Sequence, residues 1–227
     1  MTITPTTLSR AAGVAAVLAG LIFVGVQIGH PHSDVTSVGT TEWAVRNSLK
    51  VLMAALALAG ITGMYLRGVT RIGVLGLVGY LVLAVGYLSI VSTAFISAYV
   101  LPALADTNPG YVNDVLAVGT NGTAEGDIGL LGGIIRVQGF AYLAGGLIFG
   151  IALYRSRVLA RWAAALLAVG GVVTVVLAIL PDAFYRLLAF PNGIAMIGLG
   201  CALWRAGTTT ASAPAGGHRA VVTADAE

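Results

Sequence analysis

Apolar residues fill this chain in runs too long for strands. Residues 11–28, 42–66, 73–101, 128–154, 161–180 and 184–204 each approach or exceed the ~20 mostly apolar residues that a helix needs to cross about 30 Å of hydrocarbon. The second run keeps its polar residues in its first third. Residues 72–105 carry no charge at all, and Pro102 is expected to end the helix there. Pro181 and Asp182 close the fifth run, and Pro191 kinks or restarts the sixth. Only one stretch between runs, 103–127, is both long and polar. Its Asn108-Pro109-Gly110 and Asn121-Gly122-Thr123 segments read as turns, with a short surface helix over 111–118. After Gly207 the chain changes to Thr, Ala, Ser, Pro and Gly, so 208–227 is expected to be a disordered tail. The pattern predicts an all-α polytopic membrane helix bundle of six spans occupying 1–207.

Composition agrees with that reading. Hydrophobic residues make up 58% and charged residues 9%, where a soluble domain carries about a quarter charged. Mean hydropathy is +0.94. The 31 glycines suit helices that approach closely in lipid. A net charge of +3 does not indicate nucleic acid, because the basic residues are scattered between apolar runs rather than gathered in a patch. They serve instead as orientation signals. Arg10, Arg67, Arg71, Arg155, Arg157, Arg161, Arg205 and Arg219 fall on one side of the predicted membrane. Asp34, Glu42, Asp106, Asp114, Glu125, Asp127 and Asp182 fall on the other. The positive-inside rule places both termini in the cytoplasm, N-in and C-in. No small-residue cleavage site follows the first run, so a retained span is expected rather than a cleaved signal peptide. Cys201 is the single cysteine, which excludes a disulfide framework within one chain. Arginine, alanine, glycine and valine usage suggests a high-GC bacterial source, hence the plasma membrane.

Chemistry must come from the polar residues the spans tolerate. A charge inside a span costs about 2.5–3.5 kcal/mol on insertion scales and normally faces a bundle interior or a wet cavity. Glu42, Arg46 and Lys50 follow i, i+4, i+8 spacing, with Asn47 on their flank. Arg136 enters two turns into the fourth span, close to Gln138. Asp182 and Arg186 stand at the junction of the fifth and sixth spans. All are expected at one depth, in the outer half of the bundle. Glu42–Arg46 and Asp182–Arg186 are either simple interfacial pairs or parts of a site. Lys50 and Arg136 lack a local carboxylate and are better explained by a shared cavity, with Glu42 as the expected protein partner of Arg136. Tyr87 and Tyr142 lie deep enough to line a pocket. The hydroxyls of Ser89, Ser92, Thr93 and Ser97 are expected to bond their own carbonyls or a neighbouring helix. His30-Pro31-His32-Ser33-Asp34 is too short a ligand set for a metal site and reads as an interfacial loop. No metal or cofactor is expected, and no nucleotide-binding motif is present.

The segments Thr41-Glu42-Trp43-Ala44-Val45, Gly63-Met64-Tyr65-Leu66-Arg67, Tyr99-Val100-Leu101-Pro102-Ala103-Leu104 and Leu153-Tyr154-Arg155 resemble a large group of small multi-pass membrane proteins of high-GC bacteria. That resemblance implies topology and no activity. A second similarity, of position and residue type only, is to the integral-membrane terpene cyclases of meroterpenoid pathways. It implies a metal-independent, acid-initiated cyclase or isomerase of an isoprenoid-like lipid, with Glu42 and Asp182 as catalytic carboxyls. Those bundles have seven spans where this sequence shows six. The alternative to this first reading is a small transporter or lipid-binding accessory subunit. It would recognise an anionic group through Arg46, Lys50 and Arg136, aided by Asn47, Gln138, Tyr87, Tyr142 and Arg186. Six spans are few for an independent transporter, so a homodimer or a partner membrane protein is expected.

Overall fold

The computed structural model describes residues 4–28, 33–177 and 189–209, and every regular element among them is helical. Thr4 opens the first helix by accepting the Thr7 N–H on its hydroxyl at 3.2 Å, with Pro5 in the first turn where its missing N–H costs nothing. Helix α1 runs Pro5–Gly25, starting earlier than the apolar run itself. A single turn, α2 (Val35–Val38), is capped by the Asp34 carboxylate. Thr40 then caps α3, which extends Thr41–Phe95.

Helix α3 is two helices folded on each other. Gly73 has φ 64° and ψ −163°, a conformation open to glycine and closed to most other residues. The chain reverses there. The arms before and after Gly73 run antiparallel, as four contacts show. Trp43 Nε1 donates to the Ser97 carbonyl at 2.8 Å, and the Ser48 and Tyr99 hydroxyls meet at 2.8 Å. Nearer the bend, the Thr62 and Tyr80 hydroxyls lie 3.1 Å apart, and Tyr65 stacks on Tyr80 at 4.9 Å. The expected boundary between second and third spans is therefore a glycine hinge with no loop.

The expected stop at Pro102 comes later. A π-turn, Ile96–Val100, lets the Leu101 N–H reach back to the Ile96 carbonyl. That wider turn re-sets the ladder, so Pro102 falls at the start of a further turn, α4 (Leu101–Leu104). The short helix expected over 111–118 is α5, Pro109–Gly119, capped by Asn108. Asp114 on α5 accepts the N–H groups of Glu125 and Gly126 at 2.8 and 3.0 Å, which ties the following loop to it. Helices α6 (Leu130–Ser156), α7 (Arg161–Leu177) and α8 (Ala189–Thr209) complete the bundle. Helix α8 continues past 208, where the tail was placed by composition. Residues 210–227, His30, His32, Pro181, Asp182, Phe184 and Arg186 lie outside the described residues.

Small residues set the packing. Gly60 meets Ala16 and Gly63 meets Ala12 between α1 and the first arm. Gly79 meets Phe149 and Gly86 meets Tyr142 between the second arm and α6. Gly150 meets Ala164 and Ala168 on α7, while Gly13 meets Gly200 and Gly20 meets Gly193 between α1 and α8. Between α1 and the first arm, between the second arm and α6, and between α1 and α8, numbers rise on one helix as they fall on the other, so these neighbours are antiparallel. Without a hydrophobic drive between helices, such close backbone approach is what holds a bundle together in lipid. The main core centres on Ile61, Met64, Phe149, Leu153, Leu199 and Leu203. A second, smaller core of Val38, Trp43, Leu101, Val112, Val115 and Ile128 seals the end away from Gly73. There α2 and α5 form a roof over the ends of the α3 arms.

Three helices are long and apolar enough to cross a membrane: Pro5–Gly25, Thr41–Leu104 and Leu130–Ser156, the second of them folded at Gly73. Their outward faces carry large apolar side chains, among them Leu18, Leu81, Leu88 and Phe140. Such a surface suits lipid rather than water as its solvent.

Candidate functional site

Polar side chains gather beneath the α5 roof. On the first arm of α3, Asn47 is buried and donates Nδ2 to the Trp43 carbonyl one turn back, at 3.0 Å. Its Oδ1 is left pointing the other way and accepts from Lys50 Nζ at 3.3 Å. Across from them, Thr93 on the second arm donates its hydroxyl to Gln138 Oε1 of α6 at 2.5 Å. Ser33, Leu116 of α5 and Thr120 just past its end close the space above. The result is a cavity of about 200 Å³ whose walls come from both arms of α3, α5 and α6. One turn deeper, Tyr87 and Tyr142 meet edge-on at 5.5 Å, and Phe23 of α1 stands against Tyr142 at 6.4 Å. These rings belong to the main core and do not line the cavity itself.

Glu42 and Arg46 do not belong to this cavity. Arg46 Nη2 lies 2.8 Å from Glu42 Oε1, with Nε donating to the same oxygen at 2.9 Å. Its Nη1 donates to the carbonyls of Val26 and Ile28 at 3.0 and 2.9 Å. These oxygens sit at the C-terminal end of α1, where the helix has no N–H groups left for them. Arg46 is thus a cap for α1, placed in the seam between α1 and the first arm. Expected to share one face, Glu42, Arg46 and Lys50 divide between two. Each i+4 step rotates the side chain by about 40°, so Lys50 stands about 80° round from Glu42.

Arg136 stands still further from its expected place. It is exposed and lines a separate cleft of about 590 Å³ with Asn121, Asp127 and the glycines at the start of α6. It meets neither Lys50 nor Glu42. Residues two positions apart on a helix point about 200° apart, so the packing that turns Gln138 toward Thr93 turns Arg136 out. Of the expected binding residues, the structure brings together Asn47, Lys50 and Gln138, with Tyr87 and Tyr142 beneath. Arg46 and Arg136 stand elsewhere, and Asp182 and Arg186 lie outside the described residues.

Trp43 and Thr93 were not singled out as site residues by sequence reasoning. Ser89 and Ser92 bond the carbonyls of Val85 and Leu88 on their own helix. Thr93 differs by also reaching α6, a distinction the hydroxyl-rich run alone does not carry. Trp43 is buried and joins the two arms through its indole N–H. Trp43→Phe keeps the ring packing and orphans the Ser97 carbonyl. A loss of about 1 kcal/mol is expected, read as a lower melting temperature in detergent. Asp34 accepts from Ser37 N–H and Thr36 Oγ1, both at 2.7 Å.

Comparison with protein-family models, with curated proteins and with solved structures finds no match to this chain.

Proposed function

We infer that the chain is a six-span protein of a bacterial plasma membrane, both termini cytoplasmic, that holds a small polar or anionic group in its outer half. The observation that carries this is the cavity of Asn47, Lys50, Thr93 and Gln138. Apolar packing would fill such a place more cheaply, and polar groups kept inside a span are a functional signal by default. An ammonium beside amide and hydroxyl groups suits a carboxylate or phosphate. At about 200 Å³ the cavity is smaller than the roughly 300–1,000 Å³ of sites that enclose a whole organic ligand. It fits a head group or a small anion, as a transporter or a lipid-binding accessory subunit would require.

A thiol in the cavity tests this. Thr93→Cys in a Cys201→Ser background should react with a negatively charged methanethiosulfonate about tenfold faster than with a positively charged one of equal size. One favourable charge contact of about 1.4 kcal/mol gives that ratio. Adding Lys50→Gln should abolish the preference. Equal rates with Lys50 present would remove the anion-site reading.

The aromatic cluster of Phe23, Tyr87 and Tyr142 favours a second reading, an acid-initiated cyclase or isomerase of an isoprenoid-like lipid, because aromatic faces stabilise cations. Its acids would be Glu42 and Asp182. Glu42 is exposed and bound to Arg46, whereas a proton donor of this kind needs a dry enclosure. Purified protein supplied with polyprenyl or epoxy-prenyl substrates decides the matter: turnover unchanged in both Glu42→Gln and Asp182→Asn would end the assignment.

A further inference from the structure

The opposite end of the bundle carries a different kind of recess. Between α1 and the first arm of α3 lies an open groove of about 510 Å³, walled by Leu8, Ala12, Ala59, Gly63 and Leu66. It exists because small residues face each other there. Gly63 sits so close to Ala12 that a Cβ there would clash with it, so no larger side chain projects from the floor of the groove. At its rim stand Thr6, Ser9 and Arg67. Arg67 is exposed and reaches the Ala206 carbonyl only at 3.5 Å, which leaves most of its donors turned to the rim. Arg10, held over the Trp204 ring at 5.9 Å, belongs to the same end, as do Arg71 and Arg205. Every acidic residue among the described residues lies at the other end or in the loops joined to it. Among the described residues the rim is therefore cationic, while the wall below it is apolar and opens sideways.

We propose that this groove binds one anionic phospholipid, its phosphate on Arg67 and the Thr6 and Ser9 hydroxyls, and one acyl chain along Ala12, Ala59 and Gly63. The chemistry on the page selects this occupant. A free anion has no use for the apolar wall, and a zwitterionic lipid gains little from an arginine cluster. Basic pockets between spans on the cytoplasmic side take acidic head groups in this way. Assigning the lipid to the cytoplasmic leaflet rests on the orientation proposed above; binding in detergent does not.

Native mass spectrometry of the full chain in detergent, titrated with phosphatidylglycerol or phosphatidylcholine, reads the site directly. Wild type should bind phosphatidylglycerol at least about fivefold more tightly, the effect expected of one arginine at a charged-lipid surface. Arg67→Ala should remove most of that preference. Ala59→Trp fills the groove from its exposed wall and should weaken both lipids. Arg155→Ala, an equally basic change at the end of α6, should behave as wild type. Inorganic phosphate at millimolar concentration should not displace the lipid. Equal binding of the two lipids by wild type would overturn the proposal. An Arg67→Ala protein that keeps its preference, an equal loss in Arg155→Ala, or displacement by phosphate would overturn it too. A reversed topology with this lipid preference intact would change the leaflet and leave the site standing.

Discussion

Gly86→Leu is expected to cause a large loss of stability. A Cβ at Gly86 would fall 2.7 Å from the Tyr142 backbone nitrogen and 2.8 Å from its Cα. Overpacking a core usually costs about 1–3 kcal/mol because side chains shift to make room. Here the neighbour is backbone, so α6 itself must move away from the second arm of α3, taking the contacts at Gly79 and Gly145 with it. The loss should exceed that range, read as aggregation on size exclusion or a collapse of the melting transition. Gly139→Leu lies on the same helix α6 with nothing near its Cβ position, and should melt like the wild type. Equal behaviour of the two variants would mean that the second arm and α6 do not pack at this crossing.

Arg46→Ala is the second large effect. It leaves the Val26 and Ile28 carbonyls without their donor and strands Glu42 at the same time. Hydrogen bonds from a charged donor contribute about 1.5–3 kcal/mol each, so a loss of about 3 kcal/mol is expected. Glu42→Ala should cost less than about 1 kcal/mol, since that partner is more than half exposed and exposed pairs contribute little. Arg46→Lys should fall between them, because an ammonium cannot reproduce the forked geometry. Matching losses in Arg46→Ala and Glu42→Ala would show that the ion pair, rather than the capping of α1, is what matters. Thermal melts of the three purified variants in one detergent give the comparison.

These two residues also mark what the amino-acid pattern can and cannot reveal. Hydropathy alone locates the apolar helices, because helix length and lipid thickness are linked by simple geometry. The turn near Arg67 and Arg71 was legible from its charges, though not its form: a hinge at Gly73 depends on one backbone conformation that any glycine can supply. Pro102 shows the reverse case, a genuine breaker absorbed by a π-turn. Within a helix the pattern says which residues share a face and not which neighbour the face meets. Arg46 therefore reads as part of a site by its spacing, whereas its acceptors on α1 make it a helix cap. Gln138 and Arg136 looked like companions although the helix points them apart. The α5 roof was legible as a helix, but its role in closing the cavity depends on where Val115 and Leu116 pack.

The central claim is that the polar cavity faces the outside of a six-span bundle whose glycine hinge faces the cytoplasm. Single cysteines placed at Thr36 and Thr120 near the roof, and at Thr70 near the hinge, test it in a Cys201→Ser background. Intact cells are treated with a membrane-impermeant maleimide before and after permeabilisation. Labelling of Thr36→Cys and Thr120→Cys in intact cells, with Thr70→Cys reached only after permeabilisation, is the predicted result. Labelling of Thr70→Cys in intact cells while Thr36→Cys and Thr120→Cys stay protected would contradict it.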